Sequence, residues 1–137
     1  MKEIVLTLPY PPSVNHYKKV GRLARTKTGK IYQPRVNTET TKRFYAEVWV
    51  MIKQWMAAEG LKEPLGEEIY MEIDLFPPDA RKRDIDNPCK PLIDSIQKAG
   101  LFIDDNQIST LLIARKSIIK HGKVIVRIKP VVKNSFL

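Results

Sequence analysis

The chain has 137 residues, and its 24 lysines and arginines outnumber its 15 aspartates and glutamates, which gives a net charge of +9. This length fits one domain spanning residues 1–137 that buries its own core, and the excess positive charge favours a polyanionic partner, nucleic acid before membrane. The sequence has neither an apolar run approaching the ~20 residues of a membrane span nor the apolar segment of a signal peptide, so we expect a cytoplasmic protein.

The first part of the chain predicts a strand, a basic loop and a long helix. Apolar and polar residues alternate from Met1 to Leu8, which indicates a strand that the following prolines end. Residues 13–37 show no sustained period and contain no acid, and their cations interleave with tyrosines, so this segment is either a nucleic-acid contact or a mobile, solvated loop. A helix is predicted from a cap at Asn37 or Thr38 to Gly60.

The second part predicts a strand, a helix and two further strands. Residues 69–75 alternate as a half-buried strand, and a helix follows with Asn87 as its cap, although Pro91 would make its first turn irregular or make the helix start later. A long strand over residues 107–120, partly covered on both faces, is expected to join a returning strand, residues 124–129, through a two-residue hairpin turn at His121-Gly122. We therefore predict an α+β domain with a mixed or antiparallel sheet and two main helices, in the order β-loop-α-β-α-β-β.

The segment between the strand and the second helix carries the strongest chemical signal. Arg81, Lys82 and Arg83 directly precede Asp84 and Asp86. In an extended backbone, residues two apart point to the same side, so the two carboxylates would converge on a hard cation such as Mg²⁺. Neighbouring cations suit a phosphate ligand, which predicts a metal-assisted phosphodiesterase. The alternative is that the aspartates cap the helix and the cations form a solvated charge run.

Other residues near this segment have two interpretations each. Lys90 lies one turn from the aspartates and would either hold a phosphate or pair with Asp94 at i, i+4. Asp105 follows the second helix and either adds a carboxylate to the site or belongs to a turn before the next strand. Cys89 is predicted to be a small buried residue rather than a nucleophile, and as the only cysteine it forms no internal disulfide.

Three blocks of the sequence resemble one known family. They are residues 8–13 with Asn15, residues 83–87 with Lys90, and residues 99–107. In this order and spacing they are similar to the RusA family of Holliday-junction resolvases, the crossover junction endodeoxyribonucleases. The resemblance implies a small homodimeric endonuclease, common in prophages, that resolves four-way junction DNA by paired symmetric nicks. It also implies Mg²⁺ as the metal, with Mn²⁺ as a possible substitute, and neither an organic cofactor nor a membrane partner.

The resemblance also assigns roles to individual residues. The metal-binding and catalytic carboxylates match Asp84, Asp86 and Asp105, and the catalytic lysine matches Lys90. Together with the charge pattern, it gives the following candidate DNA contacts: Arg81, Lys82, Arg83, Asn15, Tyr17, Lys18 and Lys19. The sequence departs from the family at Pro88 and Pro91, where ordinary helix formers are expected, and this departure affects the placement of Lys90.

The distance between Asp86 and Asp105 is a geometric problem. A straight helix from Pro88 to Gly100 is ~20 Å long and would keep the two carboxylates apart. A shorter or bent helix, a strand that returns Asp105, or a dimer partner that completes the site would each solve it.

Two other classes of protein share part of this pattern. A non-catalytic DNA- or RNA-binding module would have the positive charge and the basic loop, and its binding would not depend on Asp84 and Asp86. A structural or assembly protein with a basic surface would show neither junction preference nor a steep salt dependence.

Overall fold

The structure, a computed structural model, describes residues 3–13 and 18–131. Its main elements form a four-stranded sheet with two helices, and short two-stranded ribbons precede the first helix. The strands are β1 (Ile4–Leu8), β2 (Lys18–Val20), β3 (Ala24–Arg25), β4 (Ile31–Tyr32), β5 (Arg35–Asn37), β6 (Ile69–Phe76), β7 (Ile108–Arg115) and β8 (Lys123–Pro130), and the helices are α1 (Glu39–Glu59) and α2 (Cys89–Lys98).

The four-stranded sheet is mixed, which confirms one of the two predicted sheet types. Its strand order is β1-β8-β6-β7, with β6 and β7 parallel and the other pairs antiparallel. Buried residues alternate along β1, β6 and β8, and the register aligns them on one face, where they share a core with the apolar sides of α1 and α2. The polar alternates of these strands line the opposite face.

The predicted hairpin between the last two strands is wrong, because β6 lies between β7 and β8. Strand β7 ends at Arg115 rather than near Lys120, and an irregular connection follows it. His121 and Gly122 do form a turn there, each with a φ of 69°. Glycine is required at position 122, since a Cβ atom would lie 2.8 Å from the Tyr10 Cβ.

Strand β6, helix α2 and strand β7 form a crossover between parallel strands. The loop after β6 and the end of β7 lie at the same edge of the sheet, where the Lys116 amide donates to the Leu75 carbonyl at 2.7 Å. The segment before β7 lies at the opposite edge, where the Gln107 side-chain amide donates to the Leu65 and Glu67 carbonyls at 2.8 and 2.9 Å. The crossover therefore determines which residues lie together at each end of the parallel strands.

Helix α1 begins and ends as its sequence predicts. Thr38 caps its N-terminus by accepting a hydrogen bond from the Thr41 amide at 3.2 Å, and Gly60 ends it in the left-handed region with a φ of 70°. Neither helix in the described part of the chain is long and apolar enough to cross a membrane. The buried residues of α1 follow a four-residue spacing that packs them on the sheet: Phe44, Val48, Ile52 and Met56.

Helix α2 starts one residue later than the prediction with Asn87 as its cap, because Pro88 occupies the N-cap position. Its first helical hydrogen bond runs from the Leu92 amide to the Pro88 carbonyl at 3.2 Å. Pro91 therefore lies in the first turn, where the helix requires no amide donor, and its missing N–H leaves no bond unmade. This placement explains how the helix accommodates Pro91 without an irregular opening.

Residues 18–37 form two small ribbons where the sequence predicts a loop. Strand β2 pairs with β5 and β3 pairs with β4, each antiparallel. These strands are two or three residues long and mostly exposed, so no alternation of apolar residues marks them in the sequence. We call residues 18–37 the basic arm, because all of their charged side chains are lysine or arginine.

Candidate active site

An aspartate that the sequence analysis missed holds the loop after β6 together. Asp79 accepts a hydrogen bond from the Arg81 amide at 3.0 Å and an ion pair from the Arg83 guanidinium at 2.8 Å. The Arg81 amide first and the Arg83 side chain next lower the pKa of the Asp79 carboxyl. Asp79 therefore stays ionised until the pH falls through this lowered value. An aspartate side chain commonly accepts from the backbone amide two residues on, so the bond to the Arg81 amide was open to prediction.

Arg83, predicted as a DNA contact, makes several contacts within the protein. Its side chain is 23% exposed, and its guanidinium lies 5.9 Å from the centre of the Tyr10 ring. Its carbonyl accepts a hydrogen bond from the Arg115 guanidinium at 2.6 Å, which ties the loop to the end of β7. Arg115 is 32 residues away in the sequence, and no local pattern marks it as part of this site.

Asp84 and Asp86 are both exposed, but they do not lie on an extended backbone. The Asn87 amide donates to the Asp84 carbonyl at 3.2 Å and the Cys89 amide donates to the Asp86 carbonyl at 3.0 Å, which makes this segment a turn. The argument that spacing in a strand directs both carboxylates to one side is therefore wrong. The capping alternative is wrong too, because no side chain within the described ranges caps α2.

Asp84 lines a cleft of about 730 Å³ beside the sheet edge. We call it the aspartate cleft, and its other lining residues include Arg81, Lys82, Arg83, Arg115, Lys116 and Ile118. The cleft therefore combines a carboxylate with several cations, as a site for a metal ion and a phosphate requires.

A second cleft of about 560 Å³ adjoins it, and Tyr10 and residues 81–83 line both. We call this the proline cleft, because residues 9–13 form one wall and Phe44 of α1 lies opposite. The burial of Tyr10 between the clefts raises its pKa. The fold thus brings two of the three sequence blocks, residues 8–13 and 83–87, to one place.

Lys90 lies in the first turn of α2 and makes the predicted helical pair. Its ammonium group is 3.1 Å from the Asp94 carboxylate, and its side chain is 58% exposed. Solvent screens the exposed ammonium group, so the pair with Asp94 does not exclude a contact of Lys90 with a phosphate. The structure therefore leaves Lys90 with both of its predicted interpretations.

Asp105 is an exposed residue of a 3-10 turn just before β7. Its neighbour Asp104 caps this turn by accepting from the Asn106 amide at 3.0 Å, and this bond, followed by the Asp105 side chain, lowers the pKa of Asp104. Gln107 completes the cap by accepting from the Asp104 amide at 2.9 Å. The turn predicted for this segment is therefore present, with Asp105 at its start.

In one chain, Asp105 lies at the opposite edge of the sheet from Asp84 and Asp86. The loop that carries Asp84 and Asp86, which we call the acidic loop, follows β6, whereas Asp105 precedes β7, which runs parallel to β6. The eight residues of β6 span about 26 Å at 3.3 Å per residue. Within residues 3–13 and 18–131, no group of three or more His, Cys, Asp or Glu side chains could hold a metal ion. Of the solutions considered from the sequence, neither a shorter α2 nor the course of β7 brings Asp105 close to the acidic loop within one chain.

The basic arm presents two of the remaining candidate DNA contacts. Lys18 and Lys19 lie in β2 and are exposed. Asn15 and Tyr17, predicted to act with them, lie outside the described residues. The arm begins shortly after residues 9–13, which line the proline cleft.

Cys89 is buried, as predicted, and we expect its thiol to react slowly with disulfide reagents near neutral pH. Its side chain is 6% exposed, and burial, followed by the charge of Asp86, raises its pKa to about 11. Little thiolate is present far below that pH, and the thiolate is the reactive form. Absorbance of the released chromophore during labelling with an aromatic disulfide measures the rate, with denatured protein as the control. Equal rates in folded and denatured protein would contradict the assignment.

Comparisons with known proteins relate this chain to one family. The family model described as "Endodeoxyribonuclease RusA" matches residues 9–129. A crossover junction endodeoxyribonuclease RusA of Aquifex aeolicus is 35% identical over 132 residues, 95% of this chain and 94% of the relative. Proteins of the same name from Shigella sonnei and Enterobacteria phage 82 are 30% and 31% identical, over 90% and 87% of this chain and 92% and 88% of their own lengths. The protein therefore belongs to the RusA family of endodeoxyribonucleases.

Proposed function

We propose that this protein, as one domain, is a metal-dependent endonuclease that resolves Holliday junctions by paired symmetric nicks. Its relatives carry the name crossover junction endodeoxyribonuclease. The observation that carries the proposal is the pair of exposed carboxylates, Asp84 and Asp86, in a turn beside a cleft lined with cations. Carboxylates suit a divalent metal ion, and the cations suit the phosphates of DNA.

The residues of the loop fit Mg²⁺, with Mn²⁺ as a substitute. Mg²⁺ is usually held by one or two carboxylates, together with water and phosphate oxygens, and Asp84 and Asp86 are the exposed carboxylates available in the loop. A bound divalent ion would neutralise charge on the scissile phosphate and lower the pKa of a water molecule. Arg81 and Lys82, both exposed beside Asp84, would bind the flanking phosphates.

The reaction is hydrolysis of one phosphodiester bond in each of two strands. The oxygen of water bonds to phosphorus as the bond from phosphorus to the 3′ oxygen breaks, and a proton passes to that oxygen. The products are a 3′-hydroxyl and a 5′-phosphate, which a ligase can seal. Lys90 exchanges Asp94 for the phosphate and stabilises the negative charge that develops on it.

We propose further that the protein acts as a homodimer and that Asp105 of the partner subunit completes each site. The support for this is the separation of Asp105 from the acidic loop by the length of β6 within one chain. A symmetric dimer has two equivalent sites, and a four-way junction offers two equivalent strands. Paired nicks follow from that match of symmetry.

A non-catalytic nucleic-acid-binding module is the second candidate. The observation that favours it is the basic arm, whose charges are all of one sign and whose strands are mostly exposed. Such a module would bind branched DNA without using the carboxylates of the acidic loop. Cleavage of junction DNA distinguishes the nuclease from the binding module.

Incubation of the protein with a labelled four-way junction should yield symmetric nicks that require Mg²⁺. The control substrate is a linear duplex with the same arm sequences, which should remain intact, and addition of a chelator should stop the reaction. Strand lengths on a denaturing gel give the positions of the nicks. Tight junction binding without cleavage in Mg²⁺ or Mn²⁺ would favour the binding module instead.

A further inference from the structure

We propose that the proline cleft binds one unpaired nucleobase of the junction, on the nucleotide next to the phosphate that is cleaved. In this arrangement the base leaves the helical stack and enters the cleft, while its backbone lies along the acidic loop. The proposal deepens the proposed function and rests on it, because it names the part of the DNA that this second cleft would hold.

The walls of the proline cleft are mostly apolar and include aromatic rings. Half-buried Pro9, Tyr10 and Pro12 line one side, and the buried Phe44 lines the other. Aromatic faces stack on bases of any identity, and apolar walls shield a bound ring from water. The volume of about 560 Å³ lies in the range of sites that enclose small organic molecules, so one base fits inside.

Tyr10 is held firmly in its wall of the cleft. A Cβ atom at Gly122 would lie 2.8 Å from the Tyr10 Cβ and 3.1 Å from the Pro78 Cδ, so the turn at Gly122 packs closely against both residues. The Arg83 guanidinium lies 5.9 Å from the centre of the Tyr10 ring and is itself paired with Asp79 at 2.8 Å. The wall is therefore formed before DNA binds, which lowers the entropy cost of binding.

Polar side chains of both signs line the rest of the proline cleft, and they favour a base over an apolar ligand. The exposed Arg43 and Glu47 lie one turn apart on α1, and the half-buried Asn87 lines both clefts. Together these side chains offer hydrogen-bond donors and acceptors. The edge of a base requires both kinds of partner, whereas an apolar side chain requires neither.

The position of the proline cleft links it to the nucleotide that is cut. Arg81, Lys82 and Arg83 line both clefts, whereas Asp84 lines only the aspartate cleft. The exposed Arg81 and Lys82 would bind the phosphates that flank the metal site. A DNA strand that crosses these residues therefore has its scissile phosphate at Asp84 and the base of the adjoining nucleotide beside the proline cleft.

A base can enter the proline cleft only after it leaves the helical stack. This step costs least where pairing is already interrupted. The helices of a four-way junction are interrupted at the exchange point, whereas a linear duplex has no such position. A base-binding cleft beside the metal site would therefore favour cleavage at the exchange point over cleavage of linear DNA.

Two modified junctions test the proline cleft without depending on cleavage. In the first junction the partner of one exchange-point base is an abasic nucleotide, so that base is unpaired; in the second, the base itself is removed as well. In gel shifts with chelator present, the native protein should bind the first junction at least about fivefold more tightly, as stacking of one base predicts. Each exchange-point position is tested in turn. Equal affinities at every position would overturn the proposal.

Variants that fill the proline cleft should remove this difference. Thr40 and Glu47 are exposed residues of α1 that line the cleft. Thr40→Trp and Glu47→Trp each place an indole where the base would lie, so the ratio of the two affinities should approach one. Ala46→Trp is the matched control, since Ala46 is exposed on the same helix outside both clefts, and it should keep the native ratio. A ratio that is the same in all three variants would contradict the assignment.

Failure of the base site and failure of the proposed function give different results. A protein that shows the affinity ratio and loses it in both filling variants, but cuts no junction, would keep the base site and lose the nuclease. A protein that nicks junctions but binds the two modified junctions equally would keep the nuclease and show that the proline cleft holds no base.

Discussion

Asp84→Asn is expected to reduce junction cleavage at least about 100-fold, because charge stabilisation by a bound metal ion is worth several kcal/mol and each 1.36 kcal/mol is tenfold in rate. The amide keeps the shape of the carboxylate but loses its charge, so metal affinity falls. Asp84 is exposed and its side chain does not cap α2, so the turn should keep its structure. Junction binding should be unchanged or slightly tighter, since one negative charge near the DNA is removed.

Glu59→Gln is the matched control for this substitution. Glu59 is an exposed residue at the end of α1, and its substitution removes the same charge far from the acidic loop in sequence and outside both clefts. Single-turnover cleavage rates and gel-shift affinities, measured with the same labelled junction, separate chemistry from binding. If Asp84→Asn cleaves at the native rate while binding the junction normally, Asp84 is not part of the metal site.

Mixing Asp84→Asn protein with Asp105→Asn protein is expected to restore nicking that neither variant has alone. If each site takes Asp84 from one chain and Asp105 from the other, a mixed dimer contains one intact site and one doubly altered site. Free exchange of subunits makes about half of the dimers mixed. Because each mixed dimer has a single intact site, single nicks should recover while paired incisions stay low.

The control for this experiment is a mixture of Asp84→Asn and Asp86→Asn proteins. Both substitutions lie in the same loop, so every site in a mixed dimer keeps one altered carboxylate and activity should stay low. The readout is the ratio of nicked to fully resolved junction on native and denaturing gels. No recovery in the first mixture, under conditions where subunits exchange, would show that Asp105 acts within its own chain or does not act.

Local patterns in the sequence predicted the elements of the fold well. The four-residue spacing of buried side chains and the Thr38 cap gave α1, and alternation gave β6 and β8. The order of strands in the sheet was not predictable in the same way, because pairing of β8 with β6 rather than with β7 depends on contacts far apart in sequence. The short connection through His121-Gly122 made a hairpin of β7 and β8 the simplest expectation. In the structure both strands pair with β6 instead.

In the candidate site too, local features could be predicted from the sequence and contacts between distant residues could not. Asp84, Asp86 and Lys90 could be predicted as candidates because charge and spacing concentrate them in one segment. The contact of Asp79 with Arg83 was missed although it is local, and the contact of Arg115 with the loop was missed because it joins residues that are 32 positions apart. The opposite edges of Asp105 and the loop follow from the parallel pairing of β6 and β7, which no local pattern encodes.

Pro88 and Pro91 bracket the residue proposed to meet the phosphate. Pro88 precedes α2 and Pro91 lies in its first turn, where the helix requires no amide donor. A proline that fits its native backbone lowers the conformational entropy of the unfolded chain, worth about 0.4 to 1 kcal/mol of stability at each position. The backbone that carries Lys90 therefore has little conformational freedom to lose when DNA binds. The loss of conformational entropy at this residue is confined to its side chain.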